Sequence, residues 1–522
     1  MRLTPVAAIL LMTAGVPAIA VAQTLPANTA ASLQAAANDQ GPRALVARLK
    51  EILAQHPQLA AEPNSAALLA RTAADPVGAM QGEKTLVYRD IAVAIIEAAP
   101  PASRNTVALA VTAEINKLTK IDPSFQPKFT QDIEDELQTA IRGYRQIPAN
   151  QPGVRLGSFI LFPEAEVTEF YDSNVYATKE NRSSDYVTVL APHIFVVSDW
   201  DKHSLNFQAH VDSAHYASHE KENSNDFWLS TEGQYDISSD TNLFGGALYG
   251  RFHEERSSPD EVFGTDPTIY KETRAFGGAS HLIGPVRLRA GVTWGRLNFD
   301  NTESSSGTYN NNDRDRDHIT SGLSATYRLN DVVSPYIEGI YDQRLYDSPV
   351  DDNGINRDSR GERFRVGSNF HITGKLDGRA YIGVMRQDYR DPALNDVSKI
   401  DFGGDMRWRI VPSTLLSTWA VRSIEETTLS AASSYLYTEI GGRAEYNLTQ
   451  NWLVVVRGSA GKSAFEGGGR EDVDYDTGVG LRYLFSPRFF MAADYRYQVR
   501  DSNDDSVDYF RHQIYLRAGF KY

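Results

Sequence analysis

The chain has 522 residues, 41% apolar and 23% charged, with no cysteine and a formal net charge of −15. A cysteine-free chain has no disulfide scaffold, no thiolate zinc or iron–sulfur site and no cysteine nucleophile. The acidic balance argues against nucleic acid as a partner. Beyond the N-terminus no apolar run of about 18 residues exists, which excludes a helical membrane protein.

The first 22 residues read as an address. Arg2 gives a positive start, an apolar stretch begins at Val6, and Ala20-Val21-Ala22 forms a small-x-small site before Gln23. This is the pattern of a secretory signal peptide. No cysteine follows the site, so a lipid anchor there is excluded.

Composition changes near residue 150. Of 54 aromatic residues only Tyr88, Phe125, Phe129 and Tyr144 precede it. Residues 23–150 are near neutral at −1, whereas residues 151–522 carry −15. The first region reads as a small α-helical domain. Gln23–Gln40 is rich in Ala, Asn and Gln and is expected to be mobile. Pro42 opens a helix whose Leu45, Leu49, Ile52 and Leu53 share one face, and Pro57 stops it. Further helices are predicted over Ser65–Ala74, Glu83–Ala98, Ser103–Lys120 and Thr130–Gly143. The acidic residues at the start of the last suit the helix dipole, and nothing in the region has catalytic spacing.

After Pro163 the hydrophobic period changes from 3.6 to 2 and holds to the last residue. Ile400, Phe402, Gly404, Met406, Trp408 and Ile410 alternate with Asp401, Gly403, Asp405, Arg407 and Arg409. Similar alternation spans His318–Leu329, Asp472–Phe485 and Phe510–Tyr522. A soluble sandwich also alternates, but three features select a membrane barrel. Aromatic residues Trp200, Trp452, Phe489 and Tyr522 stand at strand ends, as interfacial girdles do. Tight connections such as Ser238–Thr241 and Gly284–Pro285 alternate with long ones: Glu254–Thr268, Asp300–Asp317, Asp347–Arg360 and Arg500–Ser506. The chain also ends on Ile514, Leu516, Ala518, Phe520 and Tyr522 at alternate positions, similar to the C-terminal signal that outer-membrane barrels present to their assembly machinery. Eighteen strands are predicted over residues 155–522, the first from about residue 164. The fold class is an all-β transmembrane antiparallel barrel preceded by a small helical domain. Such a sheet must close, because unpaired backbone in hydrocarbon costs several kcal/mol per group. Its lumen is too wide for its own side chains to fill.

The opening of this region, Phe162-Pro163 and then Phe170-Tyr171-Asp172-Ser173-Asn174-Val175-Tyr176, resembles the start of the putative beta-barrel porin 2 family. The resemblance covers about residues 155–522. It implies an outer-membrane barrel, and several members of that family are associated with export of extracellular polysaccharide. The helical region lies outside the resemblance.

The polar face of the strands is expected to line the lumen. The candidates are Asp401, Asp405, Arg407, Arg409, Arg443, Arg457, Asp474, Asp476, Arg482 and Arg496, with Arg365, Arg422, Glu439, Asp494 and Arg517 on the same predicted face. His203, His210, His215 and His219 cluster in sequence but are not expected to converge on a metal. Asp351–Asn356 hints at a calcium loop but lacks the EF-hand spacing and terminal Glu. The acidic loops Glu220–Asp226, Asp300–Asp317 and Asp501–Asp508 are expected to be solvated. No G-x-S-x-G exists; no enzyme, cofactor or metal is expected. The expected function is a channel for export of an extracellular polysaccharide, its helical domain docking to periplasmic export machinery. A nutrient or general diffusion porin and a structural barrel with a plugged lumen are the alternatives. Expected partners are outer-membrane lipid and lipopolysaccharide, the barrel-assembly machinery and the export machinery.

Overall fold

A computed structural model of the chain describes residues 25–100 except 27, 41 and 80–83, then 103, 104, 107 and 111. It further describes residues 153–522 except 201, 262–263, 305–306, 373–374, 412, 428, 430–431, 450 and 487. The signal segment 1–22, the helix expected over Thr130–Gly143 and most of that over Ser103–Lys120 lie outside the described residues.

The N-terminal region is helical. Its elements are α1 (Thr29–Gln40), α2 (Pro42–Gln55), α3 (Gln58–Ala61), α4 (Pro63–Ala74) and α5 (Lys84–Ala98). The α2 face holds as expected, with Leu45, Leu49, Ile52 and Leu53 all buried. The segment expected to be mobile is instead ordered as α1. Its Leu33 and Ala37, one turn apart, are buried with α2, α4 and α5. Arg48 of α2 donates to Ser32 of α1 at 2.7 Å. Alanine is the strongest helix former and makes up five of the twelve α1 residues; with Leu33 its one large apolar side chain, low hydrophobicity concealed the helix.

The C-terminal region is a closed barrel of eighteen antiparallel strands. In chain order they are β1 (Phe159–Asp172), β2 (Asp185–Ser198), β3 (Ser204–Tyr216), β4 (Ser224–Asp236), β5 (Thr241–His253) and β6 (Ile269–Ile283). There follow β7 (Val286–Phe299), β8 (Arg316–Tyr327), β9 (Val333–Tyr346), β10 (Ser359–Ile372), β11 (Leu376–Tyr389) and β12 (Val397–Val411). The last six are β13 (Thr414–Glu426), β14 (Ser434–Asn447), β15 (Trp452–Glu466), β16 (Glu471–Ser486), β17 (Phe489–Ser502) and β18 (Tyr509–Lys521). Each strand pairs with the next, and β18 returns to β1 from Glu164↔Lys521 to Asp172↔Gln513. The predicted first strand is longer than expected because Pro163 does not end it. The strand continues through Pro163 opposite Ile194 of β2, and the Pro163 carbonyl accepts from the Tyr522 N–H at 3.1 Å. Proline breaks only a ladder that needs its missing N–H. Below that point Val154–Leu156 pairs with Phe159–Leu161. Gly153 leads into it at φ +63°, where a Cβ would lie 2.6 Å from Ile160 Cγ2, so only glycine fits.

The two faces of the wall differ as the alternation requires. Leu323, Ile382, Val384, Ile400, Ile440, Ile514, Leu516 and Phe520 are exposed on the outside, where bilayer covers them. Trp452 meets Tyr483 at 4.7 Å between ring centroids, and Phe485 meets Phe489 at 5.4 Å, forming part of a girdle at the short-turn rim. Short turns at one rim and long loops at the other make the first rim periplasmic. Leu323 lies at the middle of the outward band of β8 and is 59% exposed. Leu323→Arg is expected to destabilise the barrel by about 2–4 kcal/mol, the cost of an arginine at the bilayer midplane, read as a lower urea midpoint in vesicles.

Candidate functional site

The inner face of the barrel is polar, and its charges are mostly paired across strands. Asp401 is fully buried and accepts from Arg365 Nε at 2.6 Å, while Arg365 also reaches Glu338 at 3.4 Å. Asp405 accepts from Arg379 at 3.0 Å. Arg443 donates to Glu445 at 2.9 Å and stands register-opposite Arg457. Asp476 accepts from Arg496 Nε at 2.7 Å and lies 3.9 Å from Arg457, and Asp474 accepts from Arg500 at 2.9 Å. Arg482 stacks over Phe490 at 4.5 Å. Arg407 and Arg409 follow Asp405 on the same half-buried face of β12. Thus Arg457, Asp474, Asp476 and Arg496 come together on β15–β17, while Asp401, Asp405, Arg407 and Arg409 form a separate column on β12. Glu439, Asp494 and Arg517 also lie inside, Arg517 donating to Asp494 at 2.7 Å.

Arg422 departs from the expectation. Its parity on β13 is that of the outward residues Thr418 and Ala420, and its guanidinium lies 5.4 Å from the ring of outward Phe402. A count started from the wrong residue of β13 assigned it to the inner face.

Aromatic faces interrupt the charges. Trp228 of β4 stacks with His210 of β3 at 5.7 Å, and His193 of β2 meets His210 at 5.5 Å. Trp419 donates to Glu439 at 2.6 Å, and the Tyr437 hydroxyl donates to the same carboxylate. The four clustered histidines do not converge. His203 stacks on Tyr235 at 4.1 Å, His210 pairs with Asp212 at 2.8 Å, His215 meets Ser213 at 3.0 Å and His219 meets Asp185 at 2.9 Å. Among the described residues no three His, Asp or Glu side chains are placed to hold a metal.

Two of the acidic segments, Glu220–Asp226 apart from buried Glu222 and Ser224, and Asp501–Asp508 apart from buried Ser502, are largely exposed as expected. Asp300–Asp317 is instead partly enclosed, with Asn311, Asp313, Arg314 and Arg316 buried, and the long loop between β5 and β6 folds across the lumen. Asp260, between β5 and β6, accepts from Thr427, between β13 and β14, at 2.5 Å. Those hairpins are eight strands apart, roughly 38 Å along the wall at about 4.8 Å per strand, so the contact crosses the interior. Arg500 of β17 also donates to the Ser257 carbonyl at 2.9 Å. Buried arginines fix this closure. Arg256 bonds Glu222 at 2.7 and 2.9 Å and Glu261 at 2.6 Å. Arg314 grips Glu254 through two bonds of 2.8 and 2.9 Å. Arg357 bonds Asp351 at 2.7 Å and donates to the carbonyls of Thr427, Leu429 and Ala432. Sequence reasoning missed this set because a run of alternating acids and arginines in a loop reads as hydrated unless its partners are known.

The loop containing Asp351 is a folded clamp, not a cation loop. Burial works to raise the Asp351 carboxyl, but the Ile355 N–H, the Arg357 guanidinium and the Asn353 N–H outweigh it and hold it below the usual range. The clamp is complete above about pH 4, the ordinary aspartate value, and is lost as pH falls through the lower folded value. Proteolysis within residues 347–358 is expected to begin only below about pH 4. Asp351→Asn should show the same cleavage at neutral pH.

Three solved structures from Pseudomonas aeruginosa are similar in shape. OccK2 (OpdF) in complex with glucuronate shares 10% identity, with 70% of this chain and 99% of that one covered and a TM-score of 0.40. OpdO shares 12%, covering 69% and 97%, at 0.38, and the outer membrane protein opdK shares 11%, covering 69% and 99%, at 0.38. No curated protein matches the chain in sequence. The family model described as Putative beta-barrel porin 2 matches residues 147–522, the whole of the barrel. With a closed eighteen-strand wall, an apolar outer face and a charged inner one, the chain belongs to that family and is an outer-membrane porin-like channel.

Proposed function

We propose that the barrel is the outer-membrane exit for an extracellular polysaccharide and that the helical region, on the periplasmic side, docks to the machinery that delivers the polymer. The observation that carries this reading is the lumen surface. Aromatic faces at Trp228 and Trp419 stand among ion-paired carboxylates and arginines. Such a wall offers apolar faces to sugar rings and polar tips to their hydroxyls, while its charges are mutually neutralised and hold no single ion tightly. Arg407, Arg409, Arg443 and Arg457 offer weak contacts to sugar hydroxyls or carboxylates. The polymer passes passively, its direction set by the periplasmic partner. On the same reading, Ile514, Leu516, Ala518, Phe520 and Tyr522 are the strand signal for the assembly machinery, and lipopolysaccharide surrounds the outward band.

The test is a clean deletion complemented with the full chain or with a form lacking residues 31–150, followed by quantification of surface polysaccharide. Loss of polymer restored only by the full chain is the expected result. Unchanged polymer in every strain would overturn it; uptake of small solutes into liposomes would then identify a diffusion porin, and absence of conductance a plugged structural barrel.

A further inference from the structure

The wall is not uniformly laddered. Between β12 and β13 the register runs from Val411↔Thr414 up to Gly404↔Ala420 and stops there. Above it Val397–Gly403 pairs with β11 only, and Val421–Glu426 pairs with β14 only. Part of this break is at bilayer level. Exposed Phe364, Val384 and Ile400 are register partners across β10–β12 and mark the top of the apolar band. Glu362, Arg386 and Ser398 form the next outward row above them. Ile400–Gly403 therefore presents an unpaired edge, roughly 13 Å long at about 3.3 Å per residue, within the outer leaflet.

The upper part of β13–β14 has moved inward. Arg344 of β9 donates to the Ile424 carbonyl at 3.1 Å and pairs with Glu426, and the Tyr346 hydroxyl donates to Glu426 at 2.6 Å. Four strands, roughly 19 Å along the wall, separate β9 from β13, so the hairpin has left the barrel surface. Its formerly outward side chains, Ile424 and Leu436, pack against inward Met385, Tyr389 and Val397 of β11 and β12. Lys399 of β12 reaches Glu466 of β15 at 2.7 Å across the same overlap. The two edges overlap like the ends of a rolled sheet, with apolar side chains between them.

We infer that this seam is a lateral portal between the lumen and the outer leaflet, and that it takes an amphiphile with a hydrocarbon chain and an anionic headgroup. Unpaired backbone cannot face hydrocarbon without a cost of several kcal/mol per group, so a slit at this depth needs an occupant that brings hydrogen-bonding groups with it. The apolar lining behind the slit accepts a chain. Arg422 supplies the cation: it stands beside Phe402 at the outer side of the seam, and its buried Nε has no hydrogen-bond partner among the described residues. An arginine on the lipid side of a barrel is costly unless a counter-charge accompanies it. Meanwhile the axial route is narrowed by the arginine-fixed loops, and the seam leaves seven residues of β12, Val397–Gly403, without a partner in β13.

Because the chain has no cysteine, single cysteines report the seam directly. Ile424→Cys, Ile400→Cys and lumen-facing Ser459→Cys would be made in the full chain, refolded into vesicles and checked by heat-modifiable mobility. Each would be treated with a long-chain alkyl maleimide or a sulfonated one. Ile424→Cys is expected to react with the alkyl reagent within about tenfold of the rate of Ile400→Cys, although Ile424 is only 1% exposed and an enclosed thiol reacts slowly. Ser459→Cys should react with the sulfonated reagent alone. An Ile424→Cys protein that is folded yet inert to the alkyl reagent overturns the portal. For the headgroup, native mass spectrometry should show several-fold more phosphatidylglycerol than phosphatidylcholine retained, a preference lost in Arg422→Gln. Equal retention in the wild type overturns the anionic assignment. Neither result depends on whether the cargo of the lumen is a polysaccharide.

Discussion

Arg256→Ala combined with Asp260→Ala is expected to raise single-channel conductance several-fold, measured in planar bilayers on protein whose barrel is still heat-modifiable. The loop between β5 and β6 crosses the lumen on two attachments of different kinds. At its root Arg256, 6% exposed, neutralises Glu222 and Glu261, which are 2% and 1% exposed. Removing the arginine leaves two buried carboxylates without a counter-charge, a change that costs about 3–5 kcal/mol. At its tip Asp260 holds Thr427, and burial pushes the Asp260 carboxyl above its usual range against the pull of Arg314 and the Thr427 hydrogen bond. A raised carboxyl means that the docked loop binds its proton more tightly than the free loop does. Docking through Asp260 is therefore complete below about pH 4 and weakens as pH rises through the raised value. Its sign is opposite to that of the Asp351 clamp. The barrel wall itself uses neither residue, so the variant should open the mouth without unfolding the strands. Conductance equal to wild type would show that the crossing loop does not limit the pore.

What the sequence disclosed and what it concealed follow from how far each signal reaches. Period-2 alternation is local, so β8 from Arg316 and β12 from Val397 are legible from a dozen residues, as are the tight turns between strands. Parity then assigns faces wherever the sheet is regular, which is why Asp401, Asp405, Asp474 and Asp476 come out on the inner side. The same rule, counted along β13 through Thr418 and Ala420, puts Arg422 on the outer side, so its place among the lumen candidates came from a wrong starting parity and not from a failure of alternation. Arg314 and Glu254 lie 60 positions apart, and Thr427 and Asp260 lie 167 apart. No spacing rule links such pairs, and each residue alone resembles a hydrated loop residue. The α1 helix failed for a different reason: its docking depends on two small apolar contacts in a polar segment.

Arg365→Ala is expected to cost about 3–5 kcal/mol of barrel stability, seen as a lower urea midpoint in vesicles. Arg365 of β10 spans the strand between it and β12 to reach Asp401, which is 0% exposed, and turns back to Glu338 of β9, 9% exposed. Its guanidinium also lies 4.4 Å from the Tyr381 ring of β11, so one side chain fastens four consecutive strands from inside. Loss of the cation leaves two enclosed carboxylates, and one Asp401 oxygen already lacks a hydrogen-bond partner among the described residues. If unpaired charge is the cause, the triple change Arg365→Met, Asp401→Asn and Glu338→Gln should recover most of the loss, since neutral groups of similar volume commonly replace buried ion pairs at little cost. The exposed pair Lys462–Glu471, 48% and 55% exposed, is the control, and its removal should cost less than about 1 kcal/mol. A triple variant no more stable than Arg365→Ala would mean that packing on Tyr381, not charge, holds this part of the wall. The distinction reaches the lumen: charges consumed in fastening strands are not free to meet a solute, and Asp401, which Arg365 holds, lies within the stretch of β12 that has no neighbour on its β13 side.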